Sequence, residues 1–137
     1  MSSAGARYLK INFDEILGKL REYAKSKAAN HQTRAIVLTG SLAKGRYTGT
    51  SDADILVVAD NVPIYVLERY ALYAEPKMPI DVQPRVYTTE ELITKIRQGD
   101  RFVLESLEVG IPLYGEQFLN DLKQSLRKKP GTSETRS

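Results

Sequence analysis

Two aspartates stand two residues apart at the head of an apolar run, in Ser51-Asp52-Ala53-Asp54-Ile55-Leu56-Val57-Val58. Asp52 follows a Gly40-Ser41 turn, with Ser41 eleven residues upstream. Strand side chains alternate between faces, so Asp52 and Asp54 point one way and Ala53 the other. Like charges on one face beside apolar residues repel each other and are costly to desolvate. A divalent cation removes that cost. Mg²⁺ suits the pair, because it takes hard oxygen ligands and commonly combines one or two carboxylates with substrate phosphates. The Gly-Ser turn offers the complementary part. Gly40 frees the backbone for close approach, and Ser41 supplies a hydroxyl and an N–H to phosphate oxygens. A helical turn opening over Leu42 to Gly45 would aim further N–H groups at the anion. Lys44 and Arg46 would add positive charge, although both are equally open to being solvated side chains.

Asp81 is the third candidate. It sits between Ile80 and Val82, which would face the core while Asp81 faces the other side. On a hydrogen-bonded neighbouring strand it would join Asp52 and Asp54 in one acidic cluster. Three carboxylates, two Mg²⁺ ions and a triphosphate form the constellation for two-metal phosphoryl or nucleotidyl transfer. A lone Asp-x-Asp is commonly just a solvated strand end, and a lone Gly-Ser carries less. The joint pattern, a strand, Gly-Ser, Asp-x-Asp, a strand and a later isolated Asp, is far more restrictive. Glu75 and Asp60 are nearby acidic alternatives to Asp81. Asp60, ahead of Asn61-Val62-Pro63, reads as a turn or cap residue.

The elements that must position these residues follow from periodicity. Residues 12–30 form an amphipathic helix, with Phe13, Ile16, Leu17, Leu20, Tyr23 and Ala24 on one face and Asn12 as N-cap. Ala35 to Leu38 is a buried strand. Ala53 to Ala59 is a second, apolar on both faces after Asp54 and therefore central. Pro63 suits the first turn of a helix over Val62–Tyr73. A third strand covers Ile80–Tyr87, with Pro84 requiring an edge or a bulge. Thr88 and Glu91 make a capping box for a helix ending at about Gln98 and closed by Gly99. A helix over Arg101–Val109, an extended Ile111–Tyr114 and a helix from Glu116 to about Lys128 complete the chain. Strands alternating with helices indicate a mixed α/β or α+β fold, a small mixed β-sheet flanked by helices.

The chain of 137 residues is expected to be one domain, residues 1–129, with a disordered tail over 130–137 that has no apolar side chains. Cysteine is absent, which excludes disulfides, Cys-ligated zinc and thiol catalysis. No stretch has the length of a membrane span and the N-terminus lacks the apolar core of a secretory signal, so a cytoplasmic protein is the simplest reading. The net charge of +3 is concentrated at the end: residues 123–137 carry five basic side chains and one acid, which leaves −1 for the rest. A near-neutral body argues against nucleic acid as the partner. His31 reads as solvated rather than as a metal ligand. Tyr65, Tyr70 and Tyr73 read as core or partner-interface packing rather than a base-stacking platform.

Gly40-Ser41-Leu42-Ala43-Lys44-Gly45 followed by Ser51-Asp52-Ala53-Asp54-Ile55 resembles the signature of the DNA polymerase beta-like nucleotidyltransferase superfamily. The likeness is to its small stand-alone group, the minimal nucleotidyltransferases, whose pattern is Gly-Ser-x-Ala-Arg-Gly, a spacer and Ser-Asp-x-Asp-Leu. It is dense over residues 40–58 and looser over 35–87, and the C-terminal third carries no assignable motif. The resemblance implies that Gly40 and Ser41 hold the triphosphate of ATP or another NTP, with Lys44, Arg46 and Ser51 in the same nucleotide site. Asp52 and Asp54 would bind both Mg²⁺ ions. Asp81 would bind the catalytic one and favour deprotonation of an acceptor hydroxyl. Attack on the α-phosphorus would release pyrophosphate. Lys44 stands where the family has Arg, which keeps the charge and loses the bidentate fork. The resemblance further implies a helical HEPN-type partner in a toxin–antitoxin pair, AMPylated on a tyrosine by some members. Two other readings stay open on the residues: an antitoxin that binds nucleotide and acts only by binding its partner, and a nucleic-acid adaptor using the basic tail. The base, the acceptor and the oligomeric state are not fixed by the sequence.

Overall fold

Alternation along the apolar runs decides the sheet and both of its faces. The computed structural model describes the backbone of residues 2–45 and 52–136 and the side chains of residues 13–45 and 52–127. In chain order the elements are α1 (Ser2–Ala28), β1 (Thr33–Thr39), α2 (Gly40–Ala43), β2 (Ala53–Ala59), α3 (Val66–Tyr73), β3 (Val82–Tyr87), α4 (Thr89–Arg97), α5 (Arg101–Val109), β4 (Ile111–Tyr114) and α6 (Glu116–Arg136). The strands form one mixed sheet in the order β3-β2-β1-β4. β1 is antiparallel to both β2 and β4, and β2 is parallel to β3.

β2 is central, as its two-sided apolar pattern predicts. Ala53, Ile55, Val57 and Ala59 pack with Ile16, Leu20, Tyr23 and Ala24 of α1 and with Tyr73 of α3. Leu56 and Val58 face the other way, into Leu92 of α4, Val103 of α5 and Leu119 and Leu122 of α6. Each fully buried Val, Leu or Ile among them contributes about 1.5–3 kcal/mol by leaving water. Asp54 is the one residue of β2 that is only half-buried. β3 is an edge strand, which is where Pro84, without an N–H to donate, is tolerated.

Several element limits differ from the sequence reading. α1 begins at Ser2, so Asn12 lies inside the helix and does not cap it. Ala4, Ala6, Arg7, Leu9 and Lys10 are good helix formers, and no proline interrupts them. α3 starts at Val66 with Tyr65 as N-cap, which leaves Pro63 ahead of the helix. Arg69 accounts for this: its Nε donates to the Pro63 carbonyl at 2.5 Å, holding that carbonyl outside any helical ladder. β3 starts at Val82, so Ile80 and Asp81 precede the strand. The backbone of α6 is helical to Arg136, beyond the end expected near Lys128. The tail expected over 130–137 lies outside the residues whose side chains are described.

Polar ties lock the layers. The Tyr23 hydroxyl donates to the Tyr73 carbonyl at 2.6 Å. The Tyr73 hydroxyl meets Thr33 Oγ1 at 2.7 Å, and Thr33 donates to the Asn30 carbonyl at 2.6 Å. His31 rests edge-on against Tyr73, with ring centroids 6.1 Å apart, so it is a packing residue rather than a wholly solvated one. Among the described residues no helix is long and apolar enough to cross a membrane.

Two carboxylates make stability depend on pH. The capping box forms as expected: Glu91 N–H donates to Thr88 Oγ1 at 3.1 Å, and Thr88 N–H donates to Glu91 Oε1 at 3.0 Å. Glu91 also takes a bidentate pair from the buried Arg69, at 2.7 and 3.1 Å. The Arg69 hydrogen bonds and the capping N–H outweigh burial and hold the Glu91 carboxyl below its usual range. Asp60 caps α4 from a distance, accepting from Thr89 N–H at 2.7 Å, Thr89 Oγ1 at 2.9 Å and Arg34 Nε at 2.8 Å. Burial raises the Asp60 carboxyl, but these donors together leave it below its usual range. Folded-state values depressed below the unfolded ones stabilise the fold above about pH 4, and that stability is lost as pH falls through the folded values. The urea midpoint is therefore expected to fall between about pH 5 and pH 3. Glu91→Gln should flatten that fall; an unchanged slope would remove Glu91 from the account.

Candidate active site

Register brings the chemistry to one end of the sheet. β1 ends where the antiparallel β2 begins, with Thr39 opposite Asp54. β3 runs parallel to β2, with Ala53 opposite Val82 and Asp54 opposite Gln83. Gly40, Asp52, Asp54 and Asp81 therefore gather at a single sheet end. The Ala53 N–H donates to the Asp81 carbonyl at 2.8 Å and ties the two strand starts together.

Gly40 is required where it stands. Its φ is +76°, and a Cβ there would lie 2.4 Å from Asp54 Oδ2. The bare backbone leaves room for the carboxylate, and the chain turns at once into α2, whose Leu42 is fully buried and anchors it. A helical turn does form, but over Gly40–Ala43 rather than from Leu42 to Gly45, with Thr39 in the N-cap position and no side-chain capping bond from it. Ser41 and Lys44 are exposed on it. Lys44 Nζ is ion-paired with Glu105 Oε2 of α5. Arg46 and Ser51, expected at the nucleotide, lie outside the described residues.

Asp54 carries an electrostatic penalty. Burial, countered by the nearby Arg85 charge and reinforced by that of Asp52, holds its carboxyl above the usual range. Asp52 and Asp81 are exposed. The strand starts are brought together, but the three carboxylates do not close into a metal-ready cluster: among the described residues no group of three His, Asp or Glu side chains is so disposed. The donor chemistry still fits Mg²⁺. Hard carboxylate oxygens and the repulsion between Asp52 and Asp54 are what a bound cation would relieve.

Residues not anticipated from the sequence also reach this end. Arg85 lies on β3 opposite Leu56, on the sheet face that Asp54 shares, and its guanidinium sits 4.0 Å over the Phe102 ring. The available signal was spacing: in the extended Ile80–Tyr87 read from the sequence, Asp81 and Arg85 share a face. Phe102 and Glu105 belong to α5, and Ser106 fixes that helix here. Ser106, 1% exposed, hydrogen-bonds the Thr39 hydroxyl at 3.0 Å and the Phe102 carbonyl at 2.7 Å. Asp60 and Glu75 stand elsewhere, in the α4 cap and in an ion pair with Lys27 at 3.6 Å.

The family model of the nucleotidyltransferase domain matches residues 17–107, a span that contains Gly40, Asp52, Asp54, Asp81 and Glu105. No curated protein matches the chain. A proposed nucleotidyltransferase from Sulfolobus solfataricus shares the fold with a TM-score of 0.53 and 19% identity, over 77% of this chain and 85% of that one. A structure of a toxin–antitoxin with AMP-PNP superposes with a TM-score of 0.50 and 19% identity, over 85% of this chain and 96% of that one.

Proposed function

The chain belongs to the nucleotidyltransferase-domain family, and on that premise we propose that it transfers a nucleoside monophosphate, AMP from ATP, to a hydroxyl of a partner protein. The observation that carries the reading is the convergence of Gly40, Asp52, Asp54 and Asp81 at one sheet end, with Gly40 shaped around the Asp54 carboxylate. Gly40 and Ser41 would hold the triphosphate, with Lys44 supplying positive charge and Arg46 and Ser51 completing the nucleotide site. Two Mg²⁺ ions held by Asp52 and Asp54, with Asp81 sharing one of them, would neutralise the phosphates and polarise the acceptor hydroxyl. The acceptor oxygen bonds the α-phosphorus in line with the bond to the β-phosphate. That second bond breaks, pyrophosphate leaves, and the hydroxyl proton passes to Asp81 at the exposed rim of the site.

A protein acceptor is supported by the surface. Ile64, Tyr65, Val66 and Leu67 are 82%, 69%, 77% and 81% exposed in consecutive positions. Contiguous apolar surface of this kind marks interaction sites. The fold similarity to a toxin–antitoxin also favours this, and a helical HEPN-type protein is the partner we propose, with this chain as the antitoxin. Ile64→Glu with Leu67→Glu is expected to weaken co-purification with that partner at least about tenfold and leave circular dichroism unchanged. Undiminished association would place the interface elsewhere.

A second reading has one observation in its favour. The exposed apolar run Ile64–Leu67 can hold a partner without any chemistry, as suits a nucleotide-binding antitoxin that acts by association alone. Incubation with α-labelled ATP, Mg²⁺ and the partner decides between the two. Label on the partner that disappears with Asp52→Asn plus Asp54→Asn supports transfer. Inhibition of the partner without any label supports binding alone.

A further inference from the structure

Thr39 stands where a helix-capping residue belongs and does not cap. It is the last residue of β1 and the N-cap of α2, with an extended backbone. Threonine in that place ordinarily turns its hydroxyl onto the first N–H groups of its own helix. Here it makes no such bond. The hydroxyl is committed instead to Ser106 Oγ of α5, 3.0 Å away and 67 residues along the chain. Both side chains are buried, and a buried hydroxyl pair is costly to leave half-made, so its geometry is firmly held.

The bond joins α2 to the far layer of the fold. Thr39 lies opposite Asp54 in the β1–β2 register, and it shares a strand face with Val37, which packs into the layer of α5. Leu42 is buried in the other layer, with residues of α1 and α3. α2 is therefore held from both layers, by packing on one side and by the Thr39–Ser106 bond on the other. α5 is itself seated closely on β1. A Cβ on Gly110, the C-cap of α5, would lie 2.5 Å from Val37 Cγ1 and 3.0 Å from the Leu38 carbonyl oxygen, so glycine is what lets the helix end approach the strand. Ser106 Oγ also bonds the Phe102 carbonyl at 2.7 Å, which fixes the direction of its side chain. The bond thus runs from a fixed helix to the turn that carries Gly40 and the exposed Ser41.

We propose that Ser106 is a positioning residue for the nucleotide. Through Thr39 it sets the angle of the Gly40–Ala43 turn, and so the placement of Gly40 and Ser41 toward the triphosphate. It touches no substrate itself. This rests on the nucleotide-binding reading above. Without the bond the turn samples other angles, and part of the binding free energy goes into restoring the right one. The net worth of a single hydrogen bond limits that loss to a factor of about ten.

The test is calorimetric titration of Mg-ATP into the wild type, Thr39→Val, Thr39→Ser and Ser106→Ala, with a thermal melt of each. Thr39→Val keeps the shape and removes the hydroxyl, while Ser106 retains the Phe102 carbonyl as a partner. The melting midpoint should hold and ATP binding should weaken about fivefold. Thr39→Ser keeps the hydroxyl and loses a buried methyl, so the midpoint should fall while affinity stays within about twofold of the wild type. Ser106→Ala breaks the bond from the α5 side and should weaken ATP about fivefold as well. A role confined to stability would leave affinity unmoved in every folded variant. Affinity within about twofold of the wild type in Thr39→Val, or in Ser106→Ala should Thr39→Val not fold, overturns this inference alone. So does a loss in Thr39→Ser as large as that in Thr39→Val, which would assign the effect to the methyl. Failure of the wild type to bind Mg-ATP overturns the nucleotide reading and this inference with it.

Discussion

Asp54→Asn is expected to lower nucleotidyl transfer about 10³-fold, or about 4 kcal/mol of transition-state stabilisation, and to leave the fold as stable as before. The two halves of this expectation come from the same geometry. The carboxylate sits on the central strand where burial and Asp52 disfavour its charge. The neutral amide has nearly the same shape and removes that repulsion, so the thermal midpoint should hold or rise. A group that costs stability and is nevertheless present is what a working site requires. Pyrophosphate release measured beside a thermal melt checks both parts. A variant that unfolds, or one that keeps its rate, would contradict the assignment.

Gly40→Ala is expected to cost about 1–3 kcal/mol in stability and about a hundredfold in transfer. The new Cβ would fall 2.4 Å from Asp54 Oδ2, at a φ of +76° that L-residues rarely adopt. Relief of the clash means moving either the carboxylate or the turn that carries Ser41 and Lys44. Gly45→Ala is the matched control. Its φ is also +76°, but nothing lies within 4 Å of the added carbon. It should pay only the backbone strain, about 1 kcal/mol, and keep its rate. Equal losses in the two variants would mean that backbone strain, and not crowding of Asp54, is what matters at Gly40.

The parts of the fold that were legible in the sequence are those set by local pattern. Ala53–Ala59 reads as a central strand because both of its faces are apolar after Asp54, and β2 has those limits. Pro84 demanded an edge or a bulge, and β3 is an edge strand. Thr88 and Glu91 spelled out a capping box, and both of its hydrogen bonds form. Asp60 was legible only as a turn or cap residue ahead of Asn61-Val62-Pro63; that it bonds Thr89 of the distant α4 was not.

What was not legible depends on contacts between distant segments. The start of α3 moved to Val66 because Arg69 folds back onto Pro63, Val86 and Glu91, and no local spacing announces that. The same holds at the site. Gly40, Ser41 and the aspartates carry a motif, so their positions could be named from spacing. Glu105, Ser106 and Phe102 carry none. They matter because α5 packs across the sheet end, a consequence of Val103 and Leu107 burying into the second face of the sheet. The pairing of Lys44 with Glu105 could not be read from either segment alone.

The central claim is transfer of the α-phosphoryl group with its nucleoside. The most direct measurement runs two reactions in parallel, with Mg²⁺ and the partner protein, one with ATP labelled at the α-phosphate and one with ATP labelled at the γ-phosphate. The account predicts label on the partner from the α position alone, with the γ label recovered as pyrophosphate. Label on the partner from the γ position would make the protein a phosphotransferase and contradict the account.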